Sequence, residues 1–138
     1  MARFARKTWS IEVPEGWAIR DDSHCVTLAS PGDLDALQIS AYLKDSEILP
    51  EDLEDFASEH LSAGAPTALT RVGDYEGFEI AFDEGESFWR QWYLRNGKQM
   101  LFVTYNCGLD RRGVEDGSVG AALATLSRIG SDDVDRAR

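Results

Sequence analysis

The sequence predicts an α+β fold in which an antiparallel sheet of six to seven strands is flanked by helices. Three observations lead to this prediction. Most of the chain has an apolar period of two residues, which is typical of strands with one buried face. Two segments, 53–61 and 119–129, have the helical period instead. Short turns separate the apolar runs between residues 67 and 107, and short turns force antiparallel neighbours.

The opening strands follow from alternation and turn chemistry. Apolar residues alternate through 8–13, which predicts a strand ended by the Pro-Glu-Gly turn at 14–16. Residues 25–29 predict a second strand, and residues 37–43 predict a third.

The helix after the third strand is predicted by an apolar stripe on one face, formed by Leu53, Phe56, Ala57, His60 and Leu61. Pro50 suits the first helical position, and the acidic residues that follow it complement the positive end of the helix dipole. Gly64 suits the residue after the helix, where a positive φ is common.

Four strands are predicted between Thr67 and Cys107, with turns at 73–77, 84–86 and 96–97. Asn96-Gly97 favours a two-residue type I′ hairpin loop. That loop sets a register in which Arg95 faces Lys98, Trp92 faces Leu101 and Trp89 faces Thr104.

The two faces of this last hairpin are both apolar. One carries Phe88, Trp92, Leu94, Leu101, Val103 and Tyr105, and we expect it to be core. The other carries Trp89, Tyr93, Met100 and Phe102, mixed with Gln91, Arg95 and Lys98. We therefore expect a central hairpin that is covered, at least in part, on both sides.

The C-terminal region is predicted as a loop, a helix and a tail. A loop at 108–117 leads to a helix whose apolar face is Val119, Ala122, Leu123, Leu126 and Ile129, capped by Gly130. Residues 131–138 are charged and predict a disordered tail, so that residues 1–130 form a single domain.

Composition excludes several classes of function. A net charge of -11 and a pI near 4.5 oppose binding to nucleic acid and favour a basic protein partner. No apolar run approaches a membrane span, and we expect a cytoplasmic protein. Cys25 and Cys107 have no zinc-ligand spacing, so no metal or other cofactor is expected. Each is predicted to be a small buried hydrophobe, and their pairing in a disulfide stays open.

No catalytic constellation is evident. His60 lies on an apolar stripe, and His24 and Cys25 are neighbours that point to opposite faces of a strand, so they do not form a nucleophile pair. The glycines form no phosphate-binding motif. We expect that the protein is not an enzyme.

Two features are candidates for protein binding. The first is the aromatic face formed by Trp89, Tyr93, Met100 and Phe102, because these residue types are enriched at interfaces. A second core layer under a helix explains the same face better, given the sandwich architecture. The second is the spread of acidic residues, densest at 45–55 and at Asp83, Glu84 and Glu86, which could meet a basic partner. A solvated, solubilising face explains these acids at least as well.

The order of elements, with a first strand that runs Trp9 to Val13 and continues as Pro-Glu-Gly-Trp17, resembles the PsbP/Mog-type fold, which includes DcrB-like small bacterial proteins. The resemblance covers nearly the whole chain. It implies an α/β/α sandwich whose members mostly bind proteins, among them photosystem subunits, binders of a small GTPase, toxin adaptors and immunity proteins. Many exported members carry a leader, which this sequence lacks, so a cytoplasmic role is expected.

The hypothesis with most support is a bacterial adaptor, chaperone or immunity protein for a secreted toxin effector. An alternative is a small-molecule-binding or hydrolytic domain with a pocket between the sheet and the loop 108–117, near His24, Cys25 or Cys107. A structural subunit of an assembly is a third possibility. The oligomeric state stays open.

Overall fold

The computed structural model describes residues 2–22 and 24–130. Ten strands and three helices occur in this part of the chain. The strands are β1 Ala2–Ala5, β2 Trp9–Val13, β3 Ala18–Asp21, β4 Val26–Ala29, β5 Asp35–Leu43, β6 Thr67–Val72, β7 Tyr75–Glu84, β8 Ser87–Asn96, β9 Gln99–Gly108 and β10 Ser127–Arg128. The helices are α1 Pro50–Phe56, α2 Ser58–Ser62 and α3 Asp116–Leu123.

A seven-stranded antiparallel sheet in the order β3-β4-β5-β9-β8-β7-β6 forms the centre of the fold. A second sheet, in the order β1-β2-β10, has three strands. The large sheet confirms the predicted antiparallel α+β sandwich. It also confirms that the β8–β9 hairpin is central, because β9 lies between three strands on either side. The short strands β1, β3 and β10 were not predicted from the sequence.

One face of the large sheet, here called the core face, packs against the small sheet and α3. Its buried cluster includes Trp9, Ile11, Leu37, Ile39, Trp92, Leu94, Leu101, Val103, Tyr105, Val119 and Leu123. The alternating apolar residues of β5 lie on this face, and those of β2 pack against it from the small sheet, as their period predicts. This is the larger of the two clusters and so contributes most of the hydrophobic stabilisation.

The opposite face, here called the helix face, is covered in part by α1 and α2. Its cluster consists of Ile48, Leu53, Ala57, Phe78, Ile80, Tyr93 and Met100. The predicted single helix is divided at Ala57, where φ is -94° and ψ is 8°. Both parts still turn the apolar stripe to the sheet, and Gly64 has the positive φ that was expected after the helix.

In three consecutive hairpins, a two-residue loop joins the two strands. The first residue of each loop is a glycine: Gly73, Gly85 and Gly97. Each of these glycines has a positive φ, between 56° and 62°. Positive φ at the first loop residue alone is the requirement of a type II′ turn. The predicted Asn96-Gly97 loop of type I′ is therefore wrong by one residue, because Asn96 remains in the strand.

The register of the β8–β9 hairpin shifts with its loop. Arg95 faces Met100, Leu94 faces Leu101 and Trp92 faces Val103, so the predicted pairs are displaced by two residues. A shift of two preserves the alternation of side chains, so the predicted division of the hairpin into two faces is still correct. The predicted turn 73–77 also contracts, and Gly77 belongs to β7.

The predicted C-terminal helix is only half formed. It ends at Leu123, and β10 pairs with β2 where two further helical turns were expected. The side-chain oxygen of Thr125 accepts the backbone N–H of Glu12 at 2.8 Å and donates to the carbonyl of Ala122 at 2.6 Å. The bond from Glu12 and the pairing of β10 with β2 are tertiary, and together with the local bond to Ala122 they outweigh the helical period, so Gly130 does not cap the helix. The predicted tail at 131–138 lies outside the described residues.

Candidate binding surface

The described residues show no arrangement typical of a metal centre. Within residues 2–22 and 24–130, no group of three or more His, Cys, Asp or Glu side chains is placed to hold a metal ion. In the same ranges, no helix is long and apolar enough to cross a membrane.

The residues of the alternative pocket do not come together. Cys107 is buried on the core face, whereas Cys25 lies partly buried with the groove residues of the helix face. Both thiols are free. His24 is exposed, and its backbone N–H donates to Asp22 in the turn before β4. The loop 108–117 packs on the core face, on the other side of the sheet from Cys25.

A groove of about 250 Å³ lies on the part of the helix face next to the β4–β5 side of the sheet. We call it the Trp89 groove. It is lined by Cys25, Gln38, Ser40, Trp89, Gln91, Phe102 and Thr104. These seven residues come from the strands β5, β8 and β9 and from the residue before β4, so a rigid sheet positions them.

Polar groups of the groove have unused hydrogen-bonding capacity. Gln91 accepts the hydroxyl of Tyr93 through Oε1 at 2.6 Å, but its Nε2 donates to no group of the described chain. The hydroxyls of Ser40 and Thr104 likewise have no hydrogen bond with residues 2–22 and 24–130. Such groups are satisfied either by water or by a bound partner.

Trp89, which lines the groove, belongs to an aromatic stack. The rings of Phe82 and Trp89 are nearly parallel, with centroids 6.4 Å apart. His60, in the middle of α2, also stacks on Phe82, with ring centroids 4.7 Å apart. Trp89 is thus held from one side and keeps part of its surface exposed, which suits a rigid contact residue.

The other predicted aromatic residues lie deeper. Tyr93 is 2% exposed and Met100 is 7% exposed, both in the cluster beneath α1. Burial raises the pKa of Tyr93 to about 12. Phe102 is half-buried, packs against Phe56 of α1 with centroids 5.2 Å apart, and also lines the groove. The face is thus a core layer at its α1 end and partly open at Trp89.

The predicted acidic residues form a rim at the β7–β8 turn. Asp83, Glu84 and Glu86 are all exposed. Asp83 forms an ion pair with Arg112 of the loop 108–117. The carboxylates of Glu84 and Glu86 make no ion pair within the described chain, and Glu84 follows Phe82 on the helix face. The rim therefore adds uncompensated negative charge beside the aromatic stack.

A buried acid that the sequence analysis missed fixes the loop 108–117. The Asp35 side chain is fully buried and binds the guanidinium of Arg111 at 2.6 Å. It also accepts the hydroxyls of Ser30 at 2.8 Å and Tyr105 at 2.9 Å. The sequence does contain an indication of this burial. Asp35 lies two residues before Leu37 of the third predicted strand, and residues two apart in a strand point to the same face.

The fold is PsbP-like, as comparison with solved structures shows. Cyanobacterial PsbP (CyanoP) from Synechocystis superposes with a TM-score of 0.64 at 10% identity, over 92% of this chain and 91% of that one. LpqN of Mycobacterium tuberculosis, a protein involved in cell envelope biogenesis, gives 0.60 at 15% identity, over 87% and 82%.

A protein from Bacteroides thetaiotaomicron gives a TM-score of 0.67 at 15% identity over 89% of this chain. The chain spans only 46% of the length of that protein. No protein-family model matches the sequence, and no curated protein matches it either. At these identities the likeness shows the fold alone.

Proposed function

We propose that the chain is a non-enzymatic protein-binding module whose partner contacts the Trp89 groove and the acidic rim. In its finer form the proposal is a bacterial adaptor or immunity protein that binds a secreted toxin effector in the cytoplasm. The observation that carries it is the groove itself, where a partly exposed aromatic side chain lies beside amide and hydroxyl groups that the described chain leaves unbonded.

Charge supports a basic partner. The chain has a net charge of -11, and Glu84 and Glu86 make no ion pair within the described residues at the β7–β8 turn, next to the Phe82–Trp89 pair. A cationic surface would be attracted over a distance, which raises the rate of association at low salt. Lys or Arg side chains could also pack over the ring face of Trp89, where the π-electrons attract a cation.

The likeness to LpqN and PsbP supports the fold that presents this surface. LpqN is involved in cell envelope biogenesis, but this role is not transferred to the present chain. The proposal therefore depends on the groove and the charges of this sequence.

The test is capture of partners from the native lysate by the tagged chain, with elution in a salt gradient and identification by mass spectrometry. We expect one stoichiometric basic protein that elutes at high salt. The same partner should be lost from Trp89→Ala and weakened in the double variant Glu84→Gln/Glu86→Gln.

Matched control variants distinguish loss of the proposed binding surface from a general effect of surface substitution. Val114 is 58% exposed and Glu15 is exposed on the turn after β2, both outside the groove and rim. Val114→Ala and Glu15→Gln should capture the partner as the wild type does. Equal capture by the wild type and by Trp89→Ala would contradict the assignment of the groove, and an empty eluate would contradict the proposed function.

A further inference from the structure

Strand β6 is an open edge of the large sheet. It ends the strand order and pairs only with β7. Its backbone makes no other main-chain hydrogen bond within the described residues. Four of its six residues are exposed, and Leu69 is 94% exposed. Edge strands with free N–H and C=O groups are templates for the addition of another strand.

The opposite edge of the same sheet differs. Strand β3 has four residues, and two of them are charged and engaged in ion pairs: Arg20 with Asp33, and Asp21 with Arg6. Charges and short length are the usual protection of an edge. Strand β6 has six residues and one charge, Arg71, which Glu76 of the neighbouring strand neutralises at 3.1 Å. Only one of the two edges is thus suited to strand addition.

A pocket of about 260 Å³ lies beside this edge, between α1 and the sheet, and we call it the Leu69 pocket. Its apolar lining is Pro50, Leu53, Leu69 and Phe78. Two acids are at its rim. Glu76 is bound by Arg95 at 3.0 Å as well as by Arg71, whereas Glu54 is exposed and has no ion pair within residues 2–22 and 24–130.

We propose that β6 binds an extended peptide segment of a protein partner by strand addition, with an apolar side chain in the Leu69 pocket and a Lys or Arg side chain at Glu54. In this mode the main chain supplies affinity and pockets for alternate side chains supply specificity. The inference deepens the proposed function, since it names a second contact surface for a basic partner.

Charge favours such a segment over a second copy of this chain. Two copies would bring net charges of -11 together, whereas a basic segment is attracted to the free carboxylate of Glu54. Pairing of β6 with its own copy would also leave Glu54 without a cation, because Arg71, the only charged residue of β6, is bound to Glu76.

The experiment selects a phage-displayed random dodecapeptide library against the tagged chain and measures the enriched peptides by titration. We expect sequences in which an apolar residue and a Lys or Arg alternate with small or β-branched residues. Leu69→Lys and Glu54→Gln should each weaken binding about tenfold, which is about 1.4 kcal/mol. Ile19→Lys, on the protected edge, should leave binding unchanged.

Methylation of alternate backbone amides of the best peptide tests the main-chain pairing. One alternate set should weaken binding about tenfold and the other should not, because only every second residue bonds to an edge strand. Equal effects of the two sets, no enriched pattern, or insensitivity to Leu69→Lys would overturn the proposal. So would a dimer in sedimentation that Leu69→Lys dissociates, since a second copy would then occupy the edge.

The two proposals fail separately. Trp89→Ala should retain the selected peptides, because Trp89 does not line the Leu69 pocket. Peptide binding without a captured basic protein would contradict the proposed function alone. Strand addition alone would be contradicted if a captured partner bound Leu69→Lys as tightly as the wild type and the peptide library yielded no enriched sequence.

Discussion

Arg111 forms an ion pair with the fully buried carboxylate of Asp35, with Nη2 2.6 Å from Oδ2 and Nε 3.3 Å from Oδ1. Asp35 begins β5, and Arg111 belongs to the turn after β9. The pair therefore fastens residues 109–115, which connect β9 to α3, to the start of β5. Tyr105 and Ser30 donate further hydrogen bonds to the same carboxylate. Each of the two oxygens of Asp35 therefore accepts two hydrogen bonds, which satisfies a buried carboxylate.

Replacement of Arg111 by methionine should strongly destabilise the protein. The change leaves the buried carboxylate of Asp35 without its cation, and an unpaired buried charge is strongly destabilising. Urea unfolding followed by tryptophan fluorescence measures this. Arg20→Met is the matched control, because Arg20 and Asp33 are each about 60% exposed and such pairs contribute about 0–1 kcal/mol. Similar losses in the two variants would contradict a special role for the buried pair.

Stability should fall in acid, and Asp35 should account for part of the fall. Burial alone would raise the pKa of Asp35, but hydrogen bonds from Arg111, Ser30 and Tyr105 hold it below its ordinary value. A carboxyl whose pKa is lowered by folding stabilises the protein above the unfolded pKa, about 3.9, and this contribution is lost as pH falls through the folded pKa.

The measurement is the free energy of unfolding of the wild type and of Asp35→Asn from about pH 6 to about pH 3. Asp35→Asn should be less stable at pH 6 but should lose less stability on acidification. Asp22 and Asp52, whose pKa values are also lowered, act in both proteins and cancel in the comparison. Parallel pH profiles would show that Asp35 does not contribute.

The fold could be predicted because its main signals are local. Alternation sets which side chains share a face, and that division survived a wrong loop at Asn96, since the register moved by an even number of residues. The end of α3 could not be predicted in this way. Leu126 fits a helical stripe, but Thr125 accepts the N–H of Glu12 and β10 pairs with β2, and both partners are far away in sequence.

Alanine at Gly77 should destabilise the sheet, because a Cβ there would lie 1.8 Å from the carbonyl oxygen of Tyr93. The backbone of β8 must move, and such overpacking costs about 1–3 kcal/mol. Gly120→Ala is the control, since nothing lies within 4 Å of a Cβ at this exposed helical position. It should stabilise α3 by about 0.5–1 kcal/mol. Thermal unfolding of both variants should show midpoints that move in opposite directions.

The candidate site could be predicted only in part from the sequence. Residue type and strand parity suffice to put Trp89 and Phe102 on one face. They do not reveal that α1 buries Tyr93 while it leaves Trp89 half-buried, because this depends on where a helix of seven residues crosses the sheet. The open edge at β6 was equally hidden, since a strand becomes an edge only through the order of the whole sheet.

Thr125→Val should show that distant hydrogen bonds, and not the local sequence, end α3. Valine has nearly the shape of threonine but cannot accept the N–H of Glu12, and loss of such a part-buried hydrogen bond costs about 0.5–1.5 kcal/mol. Thr67→Val, at an exposed threonine of β6, should change the unfolding free energy by less than about 0.5 kcal/mol. Hydrogen exchange should locate the loss, with faster exchange at Glu12 and in β10 than in the wild type. If Thr125→Val keeps its full stability and the slow exchange of Glu12, then the packing of Leu126, and not this hydrogen bond, holds the segment against β2.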